Sequence, residues 1–479
     1  MKVLFVTSEC HPFLKTGGLG DVSYSLPKAL RKFDDVDIRV IMPKYSSIPD
    51  YFKNSMSHKG NYIVSVGWRK QYCGIEFLEF DGIPFYFIDN EYYFNRPGSY
   101  GYTDEGERFT FFSKAVLQSI PYMHDFEPDI IHCNDWHTAM IPALLKDHYR
   151  FFDNYTRIKT ALTIHNLQYQ GVFDKSILDL LELNEGYFNE SSLKYYNSVN
   201  FLKGGIVYSD KISTVSNTYA NEIQSEPLGS TLGGLLHKRC NDLWGIVNGI
   251  DYDTFNPATD IHLPVKYDVN NYWLKRENKV NLQRELGLEQ NADTPLIGLV
   301  SRLTDQKGLD LICTVFEELM CSENVQFVLL GTGDPNYEHS FRYFANKYSN
   351  RCSSNIYFDN SLAQRIYGAS DFFLMPSKFE PCGLSQLIAL RYGSIPIVRE
   401  TGGLRDTVFS YNEHYKEGNG FTFTNYNARD MLNTIKRGLH FYWDKYHWDI
   451  ISRNAMNSSN SWENSAYIYK DLYNTLIWG

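Results

Sequence analysis

The stretch PLIGLVSRLTDQKG, residues 295–308, holds a short apolar run, a polar turn and a glycine that begins a helical pattern. The apolar run is typical of a buried strand, and a strand followed at once by a helix is the repeating unit of a parallel α/β sheet. Arg302 and Lys307 lie in the turn, at the carboxyl end of the predicted strand. Parallel α/β folds bind ligands at that end of their strands, so this turn is a candidate binding site.

The same alternation of strands and helices extends over the rest of the chain. Short apolar runs alternate with helical patterns on both sides of a polar stretch at 248–271, which is rich in Asn, Asp and Pro and has no clear period. Such a stretch is typical of a connection between domains. The predicted strands are 2–7, 37–42, 84–89, 129–133, 160–165, 211–216, 243–248, 295–301, 325–331, 355–358, 372–377 and 395–398, and the predicted helices lie near 21–33, 106–122, 137–149, 308–321, 338–349, 384–392 and 427–443.

These patterns predict the α/β fold class, with two domains whose sheets are mainly parallel. The boundary is predicted near residue 250, so that the N-terminal domain spans 1–250 and the C-terminal domain spans 251–460. The last segment, 461–479, begins with an amphipathic pattern and is treated as a separate helix. With 479 residues in all, each half is long enough to bury its own core.

Composition excludes several classes of protein. The formal net charge is −10, which disfavours nucleic acid as a partner. The eight cysteines are scattered without a C-x-x-C pair, which argues against a disulfide framework or a zinc site and fits a reducing compartment. No apolar run approaches the length of a membrane span. We expect a cytoplasmic protein, with a mature form in the plastid stroma as the alternative; the sequence leaves the oligomeric state open.

A glycine-rich turn, KTGGLGDV at 15–22, lies between the first predicted strand and the first predicted helix. Glycine tolerates positive φ and lets backbone amides approach a ligand closely, and a helix N-terminus favours an anion. Lys15 adds a full positive charge, with Gly17 and Gly18 beside it. The turn does not match the dinucleotide fingerprint, so it predicts either an anion site or plain structural punctuation.

A third turn, PSKFEPCGLSQLIALRYG at 376–393, places Glu380 between a strand and a helix. Its carboxylate lies among apolar neighbours and either binds a ligand or caps the helix that starts near Gly383 and Leu384. The next strand is followed by VRETGGL, which contributes the pair Gly402 and Gly403. Free amides at these helix starts are suited to an anion.

Histidine and aspartate gather after two predicted strands of the first set. IHCNDWHTAM at 131–140 contains His132, Asp135 and His137, and TIHNLQYQG at 163–171 contains His165. The spacing is not that of a zinc site, so we expect a polar cluster that reaches the ligand. The alternative for His132 is a buried, hydrogen-bonded core histidine. Two short D-x-D patterns, at 35–37 and 251–253, are interpreted as chance matches rather than metal ligands.

Taken in order, these motifs resemble the family of bacterial glycogen synthases and plant starch synthases. The resemblance runs from residue 2 to about 475 and also includes NFLKGGI (200–206), TVS (214–216), NGID (248–251) and NPATD (256–260). It implies the GT-B type of fold, two Rossmann-like domains with parallel sheets facing a central cleft, and a C-terminal helix that packs back across the hinge. The implied reaction is retaining transfer of glucose from ADP-glucose to the non-reducing end of an α-1,4-glucan, such as glycogen or starch, with release of ADP.

The resemblance also implies roles for single positions. Lys15, in its turn with Gly17 and Gly18, would hold the nucleotide diphosphate, while Arg302 and Lys307 would neutralise the charge that leaves with it. Phe358 would stack on the nucleobase. Glu380 would bind the glucose hydroxyls, and the amides near Gly383, Leu384, Gly402 and Gly403 would lie around the sugar and phosphates. Asp135 and His165 would lie near the anomeric centre, and Asp135 together with His137 would lie on the acceptor side.

No metal is expected, because two cations and a helix start can neutralise the diphosphate. No pyridoxal phosphate is expected either, since that cofactor belongs to a phosphorylase-like enzyme. Three positions depart from patterns seen in related transferases. Residue 388 is Ile where many retaining enzymes have a second Glu, which favours the synthase subfamily. Asn134 stands where a His is often found, and Phe358 replaces a Tyr of some members, which retains a stacking face.

Three other functions are alternatives to the synthase. A sucrose or trehalose-phosphate synthase would share the fold but differ in acceptor. A phosphorylase-like enzyme would need a lysine-linked pyridoxal cofactor. A catalytically inactive glucan-binding protein would bind glucan without releasing nucleotide, and the retention of Lys15, Arg302, Lys307 and Glu380 argues against it.

Overall fold

The structure, a computed structural model, describes all residues from 1 to 479 and divides into two compact units. The N-terminal unit comprises residues 1–246 together with 462–479, and the C-terminal unit comprises 247–461. The chain therefore passes into its second unit just before the Asn- and Pro-rich stretch and returns to the first for its last helix.

The N-terminal unit is built on a nine-stranded sheet in the order β12-β11-β7-β6-β1-β2-β5-β4-β3, and β8-β10-β9 form a small second sheet. The strands are β1 (Lys2–Val6), β2 (Asp37–Pro43), β3 (Ser57–Val66), β4 (Arg69–Phe80), β5 (Ile83–Asp89), β6 (Ile130–Asn134), β7 (Lys159–Ile164), β8 (Val172–Asp174), β9 (Lys194–Tyr195), β10 (Ser198–Asn200), β11 (Lys211–Thr214) and β12 (Leu243–Gly245).

Burial on both faces explains why the central strands were recognisable in the sequence. Residues 3–6 of β1 are completely buried, as expected for a parallel strand covered by helices on both sides, and they form a continuous apolar run. The β3–β4 hairpin was missed. It is antiparallel and lies at the edge of the sheet with alternate side chains exposed, so it lacks such a run.

Helices follow most strands of this sheet. They are α1 (Gly18–Leu30), α2 (Asp50–Lys53), α3 (Glu91–Phe94), α4 (Glu105–Ser119), α5 (Ile141–His148), α6 (Asp153–Thr156), α7 (Ile177–Leu181), α8 (Phe201–Tyr208), α9 (Asn217–Glu222) and α10 (Gly233–Lys238). The NFLKGGI motif forms α8, which Asn200 caps by accepting a hydrogen bond from the Lys203 amide. The role of that motif visible in the structure is therefore architectural.

The C-terminal unit has a six-stranded, wholly parallel sheet in the order β15-β14-β13-β16-β17-β18. Its strands are β13 (Leu296–Val300), β14 (Gln326–Leu330), β15 (Cys352–Asn355), β16 (Phe372–Met375), β17 (Ile395–Arg399) and β18 (Phe421–Phe423). Its helices are α11 (Lys275–Glu285), α12 (Leu309–Ser322), α13 (Pro335–Lys347), α14 (Asn360–Ala369), α15 (Ser385–Arg391), α16 (Gly402–Thr407), α17 (Ala428–Trp443) and α18 (Lys445–Met456).

One predicted strand is displaced. The apolar letters at 355–358 predicted a strand, but β15 covers the polar segment Cys352–Asn355, which pairs with β14. The strand lies at the sheet edge and is only partly buried, so its sequence carries no apolar run. Residues 356–358 lie in the loop that follows β15.

The final helix, α19 (Trp462–Trp478), packs against the N-terminal unit. The hydroxyl of Tyr473 lies 2.7 Å from Nδ1 of His132, which is completely buried beneath the helix. At the surface, the Lys470 ammonium pairs with Asp35 at 2.6 Å. Asp35 therefore helps to hold the last helix against the N-terminal unit. No helix in the chain has the length and apolar character needed to cross a membrane.

Candidate active site

Two polar turns of the N-terminal unit leave the same edge of its sheet. Strands β1 and β6 are parallel neighbours, with Val6 beside Cys133, so the turn after β1 and the turn after β6 emerge side by side. The first carries KTGGLG, and the second carries Asp135 and His137. Topology therefore gathers the predicted N-terminal site residues at one sheet edge.

The KTGGLG turn is held from inside by a residue that the sequence analysis missed. Glu9 is 1% exposed, and its carboxylate accepts hydrogen bonds from the amides of Thr16 at 3.0 Å, Gly17 at 3.2 Å and Gly20 at 2.9 Å. The Thr16 hydroxyl donates to the same carboxylate. Burial raises the pKa of Glu9, and these hydrogen bonds act in the opposite direction. The three amides are thus committed to the protein itself.

The glycines of this turn serve close approach rather than unusual backbone angles. None of Gly17, Gly18 and Gly20 has a positive φ, contrary to the expectation from the sequence. A Cβ at Gly20 would lie 3.2 Å from the backbone and side chain of Lys15, so glycine there lets the turn fold tightly. Lys15 is partly exposed and pairs with Asp21 at 2.9 Å. Its ammonium is accessible to an anionic ligand.

Asp135 is held in a strained and partly buried position at the end of β6. Its φ of 56° lies in the left-handed region, which is uncommon for a residue with a side chain. Its Oδ1 accepts a hydrogen bond from the His165 amide at 2.8 Å, and the Asn166 amide also donates to this carboxylate. Burial raises the pKa of Asp135 to about 7, so its ionisation changes near neutral pH. Perturbed carboxylates of this kind are typical of functional sites.

Asn134, noted in the sequence as a departure, orients the ring of His165. The Asn134 amide nitrogen donates to the Val6 carbonyl at 3.0 Å, which leaves its Oδ1 to face the His165 Nε2 at 2.9 Å. Nε2 therefore carries the proton, and Nδ1 is the acceptor of the neutral ring. Burial lowers the pKa of His165 to about 3, so the ring is uncharged at neutral pH.

The two other histidines differ in surroundings. His132 lies under α19, where Tyr473 and Thr163 contact its two nitrogens, so it is a core residue and not part of a polar cluster that reaches a ligand. His137 stacks on Trp136 with ring centroids 4.0 Å apart, and its Nδ1 has no hydrogen-bond partner. Burial lowers its pKa to about 3. His137 is therefore a neutral imidazole that stacks on an aromatic ring and lies two residues after Asp135 in the chain.

In the C-terminal unit, the SRLTDQKG and FEPCG turns interlock. They follow the neighbouring parallel strands β13 and β16. The Lys378 amide donates to the Gln306 carbonyl at 2.8 Å, and the Gln306 side chain donates to the Phe379 carbonyl at 3.3 Å. Gly308, at φ 68°, ends the first turn, and a Cβ there would overlap the Pro376 carbonyl. The two motifs thus form one rigid surface.

The central contact on this surface is an ion pair. Nζ of Lys307 lies 2.6 Å from Oε2 of Glu380, which also accepts a hydrogen bond from the Ser377 hydroxyl at 3.0 Å. Glu380 is 5% exposed. Arg302, by contrast, is exposed, and its guanidinium forms no hydrogen bond or ion pair within the protein. The turn after β13 therefore carries one cation paired with a carboxylate, Lys307, and one unpaired cation, Arg302.

The glycines near Glu380 bind the surrounding turns together. Gly383 has φ 75° and precedes Leu384 and α15. The Gly403 amide donates to the carbonyls of Glu380 at 3.1 Å and Pro381 at 3.2 Å, so it is engaged inside the protein. A Cβ at Gly402 would overlap the Glu380 carbonyl, and only glycine fits there. The visible role of Gly402 and Gly403 is to press α16 against the FEPCG turn.

Phe358 stands apart from this cluster, in the loop between β15 and α14. Its side chain is 79% exposed. The next residue, Asp359, caps α14 by accepting from the Leu362 amide at 2.8 Å, which anchors the loop. The ring is available for stacking.

Glu9, Asn134 and Ser377 were not among the predicted site residues. Glu9 lies three residues past the end of β1, and a carboxylate just after a buried strand is the signal in the sequence that could have identified it. Asn134 was noted only as a departure. Ser377 is recognisable only once its hydroxyl is seen to contact Glu380.

Comparison with known proteins agrees with this architecture. The family model of the starch synthase catalytic domain matches residues 2–238, and that of glycosyl transferases group 1 matches residues 286–449. A glycogen synthase from Clostridium acetobutylicum is 60% identical over 479 residues, covering 100% of both chains. One from Clostridium novyi is 58% identical over 478 residues, covering 100% of this chain and 99% of the relative.

Solved structures give the same result. The catalytic domain of starch synthase IV from Arabidopsis thaliana, bound to ADP and acarbose, superposes with a TM-score of 0.92 at 33% identity and covers 99% of both chains. A sucrose-phosphate synthase from Thermosynechococcus elongatus shares the fold, with a TM-score of 0.62 at 16% identity over 99% of this chain and 98% of that one. The chain therefore belongs to the glycogen synthase and starch synthase family and is a hexosyltransferase with the GT-B fold.

Proposed function

We propose that this chain extends an α-1,4-glucan by transferring glucose from ADP-glucose to the non-reducing end, with retention of the anomeric configuration and release of ADP. The observation that carries the proposal is the full-length similarity to a starch synthase catalytic domain whose structure is bound to ADP and acarbose. The surfaces at the strand ends of both units support it, because they hold cations and carboxylates suited to a diphosphate and a sugar.

The departure of ADP is the step at which the protein must stabilise the most developing charge. Negative charge develops on the diphosphate as the bond to the sugar breaks, and preorganised cations stabilise that charge more than they stabilise the ground state. We assign this role to Arg302 and Lys307. The unpaired guanidinium of Arg302 can form a bidentate contact with phosphate oxygens, and the ion pair with Glu380 already holds the Lys307 ammonium in position. We assign Lys15 to the same diphosphate.

Glu380 is assigned to the glucose of the donor. Its carboxylate is almost buried and is shared by Lys307 and Ser377, so its orientation is defined before a ligand binds. A carboxylate accepts hydrogen bonds from sugar hydroxyls, and the neighbouring ammonium balances its charge. The role of Glu380 in this proposal is therefore binding and orientation, not nucleophilic attack.

The acceptor is assigned to the N-terminal unit. His137 offers an unpartnered Nδ1 beside aromatic rings, and Asp135 offers a carboxylate whose pKa is about 7. His165 is a neutral ring held by Asn134. We propose that retention follows from attack on the same face that ADP leaves, with the leaving phosphate accepting the proton of the acceptor hydroxyl. Asp135 and His165 then stabilise the positive charge that develops at the anomeric centre and orient the glucan.

We propose that the reaction needs neither a metal ion nor pyridoxal phosphate. Arg302 is unpaired, and the ammonium groups of Lys307 and Lys15 can donate to phosphate oxygens beside their carboxylate partners. Hydrogen bonds to charged groups contribute about 1.5–3 kcal/mol each. The test measures nucleoside diphosphate release with glycogen as acceptor, in the presence of a chelator, for ADP-glucose and UDP-glucose in parallel. We expect release from ADP-glucose at a rate independent of the chelator.

Other outcomes of this assay would change the proposal in specific ways. Equal use of both donors would show that the site around Phe358 does not select the base. Loss of activity in chelator would show that a metal, and not the cations alone, neutralises the diphosphate. Glucan binding without release from either donor would indicate an inactive glucan-binding protein.

A further inference from the structure

We infer that Glu9 is a positioning residue for the donor: its carboxylate holds the Lys15–Gly20 turn in the shape that presents Lys15 to the diphosphate. The inference rests on the proposed function, since it takes Lys15 as a ligand of the donor. The inference adds Glu9 to the residues that support donor binding, although its negative charge is not complementary to the diphosphate and its role was not recognised from the sequence.

The geometry leaves Glu9 little freedom. Oε1 accepts from the amides of Gly17 and Gly20, and Oε2 accepts from the amide and the hydroxyl of Thr16. Four donors converge on one carboxylate that is 1% exposed. These donors all follow Lys15 in the chain and lie on both sides of Gly18 and Leu19, so the carboxylate ties the two ends of this turn together.

The hydrogen bonds to Glu9 determine where the positive charge of Lys15 lies. The Gly20 amide that bonds to Glu9 belongs to the first turn of α1, and a Cβ at Gly20 would press on Lys15 at 3.2 Å. The turn is thus packed against the backbone of Lys15 on one side and tied to Glu9 on the other. Residues 18 and 19 supply the remaining amides of the first turn of α1, which has no intrahelical acceptors for them.

Charge makes a carboxylate necessary at this position. An ionised carboxylate is an acceptor at every lone pair, which matches four donors, whereas a glutamine amide offers one acceptor oxygen and two N–H donors. In Glu9→Gln, the amide nitrogen must face either Thr16 or the amides of Gly17 and Gly20. The turn loses at least one charge-assisted hydrogen bond and gains an N–H group pointing at another N–H group.

The test is a double-mutant cycle between Glu9→Gln and Lys15→Ala, read as kcat and KM for ADP-glucose and as the Kd of ADP by calorimetry. We expect Glu9→Gln to raise KM for ADP-glucose and the Kd of ADP about 10- to 100-fold, the range for a lost hydrogen bond to a charged group. KM for glycogen should stay unchanged. In the Lys15→Ala background, the same change should have little further effect, since its route to the donor is already removed.

Controls separate positioning from loss of fold. Glu79 is exposed on β4 and makes no ion pair, so Glu79→Gln should leave all parameters unchanged. Thr16→Val removes only the hydroxyl donor and keeps the amide. It should shift KM for ADP-glucose in the same direction by a smaller factor, again only when Lys15 is present, and it serves the cycle if Glu9→Gln fails to fold.

The outcomes are distinct. Additive losses in the cycle, or a fall in kcat with unchanged KM for the donor, would show that Glu9 only supports the fold and would overturn the inference while leaving the proposed function intact. A wild-type chain that neither binds ADP nor releases it from ADP-glucose would overturn the proposed function and, with it, the role of Glu9.

Discussion

Lys307 and Glu380 form an ion pair of 2.6 Å that joins two motifs separated by more than seventy residues in the chain. Lys307 belongs to the turn after β13 and Glu380 to the turn after β16. A group assigned to the diphosphate and a group assigned to the sugar therefore hold each other in place. Substitution of either one changes the surroundings of both, and the consequences differ because only Glu380 is almost completely buried.

Replacement of Glu380 by alanine should abolish synthesis and leave the fold intact. The carboxylate contact to the sugar is lost, whereas Lys307 retains some exposure and turns toward water. ADP release with glycogen and thermal unfolding measure the two effects. Ser377→Ala, which removes only the hydroxyl that donates to Glu380, is the matched control and should reduce activity much less. Near-normal turnover of Glu380→Ala would remove this residue from the site.

Replacement of Lys307 or Arg302 by methionine should have similar effects on rate and different effects on stability. Loss of one preorganised donor to developing charge costs about 10²–10³ in turnover. Lys307→Met also leaves Glu380 buried without its cation, which costs about 3 kcal/mol, so its unfolding temperature should fall. Arg302 has no partner, so Arg302→Met should unfold at the wild-type temperature. Equal unfolding temperatures for the two variants would contradict the importance of the ion pair.

Asp135 should make the protein less stable as pH rises toward neutrality. Its folded pKa of about 7 exceeds the ordinary value of 3.8, so between these values the unfolded state has already released the proton that the folded state keeps. Stability contributed by the protonated group is full below about pH 4 and is lost as pH rises through 7, at up to about 1.4 kcal/mol per unit.

Asp135→Asn removes this titration and checks its sign. The variant should gain unfolding free energy relative to wild type at pH 8 and much less at pH 5, while losing most of its activity. Chemical denaturation at both pH values measures the difference. The neighbouring Asn134→Ala variant, which leaves the carboxylate in place, should keep the wild-type pH trend. An equal gain at both pH values would show that Asp135 titrates normally.

Phe358→Ala should weaken donor binding with little change in kcat. Stacking of an aromatic side chain on a base contributes about 1–3 kcal/mol, so KM for ADP-glucose should rise by about 5- to 150-fold. The exposed ring makes few contacts within the protein, and the unfolding temperature should not change. Tyr357→Ala, the neighbouring aromatic, is the control. Unchanged KM in Phe358→Ala would place the base elsewhere.

Most of the fold was predictable because both sheets have parallel strands that are buried on both faces. For that reason β1 and β13 are continuous apolar runs, KVLFV and LIGLV, and the end of each run indicates where the following turn begins. The β3–β4 hairpin and β15 were not recognised, since strands at a sheet edge keep polar residues. For the same reason the strand predicted at 355–358 was displaced: the polar segment Cys352–Asn355 forms β15, and Phe358 lies in the loop after it.

The order of motifs along the chain was sufficient to indicate the family, the fold class and the candidate residues at the strand ends, because each depends on residue types at short spacings. Tertiary structure alone decided which of these groups are already engaged. Glu9 accepts hydrogen bonds from three amides that the glycine-rich sequence predicts to be available to a ligand. Asn134 selects the tautomer of His165, and Glu380 pairs with Lys307. These contacts join residues brought together only by the register of neighbouring strands, and burial, which sets the pKa of Asp135, exists only in the folded chain.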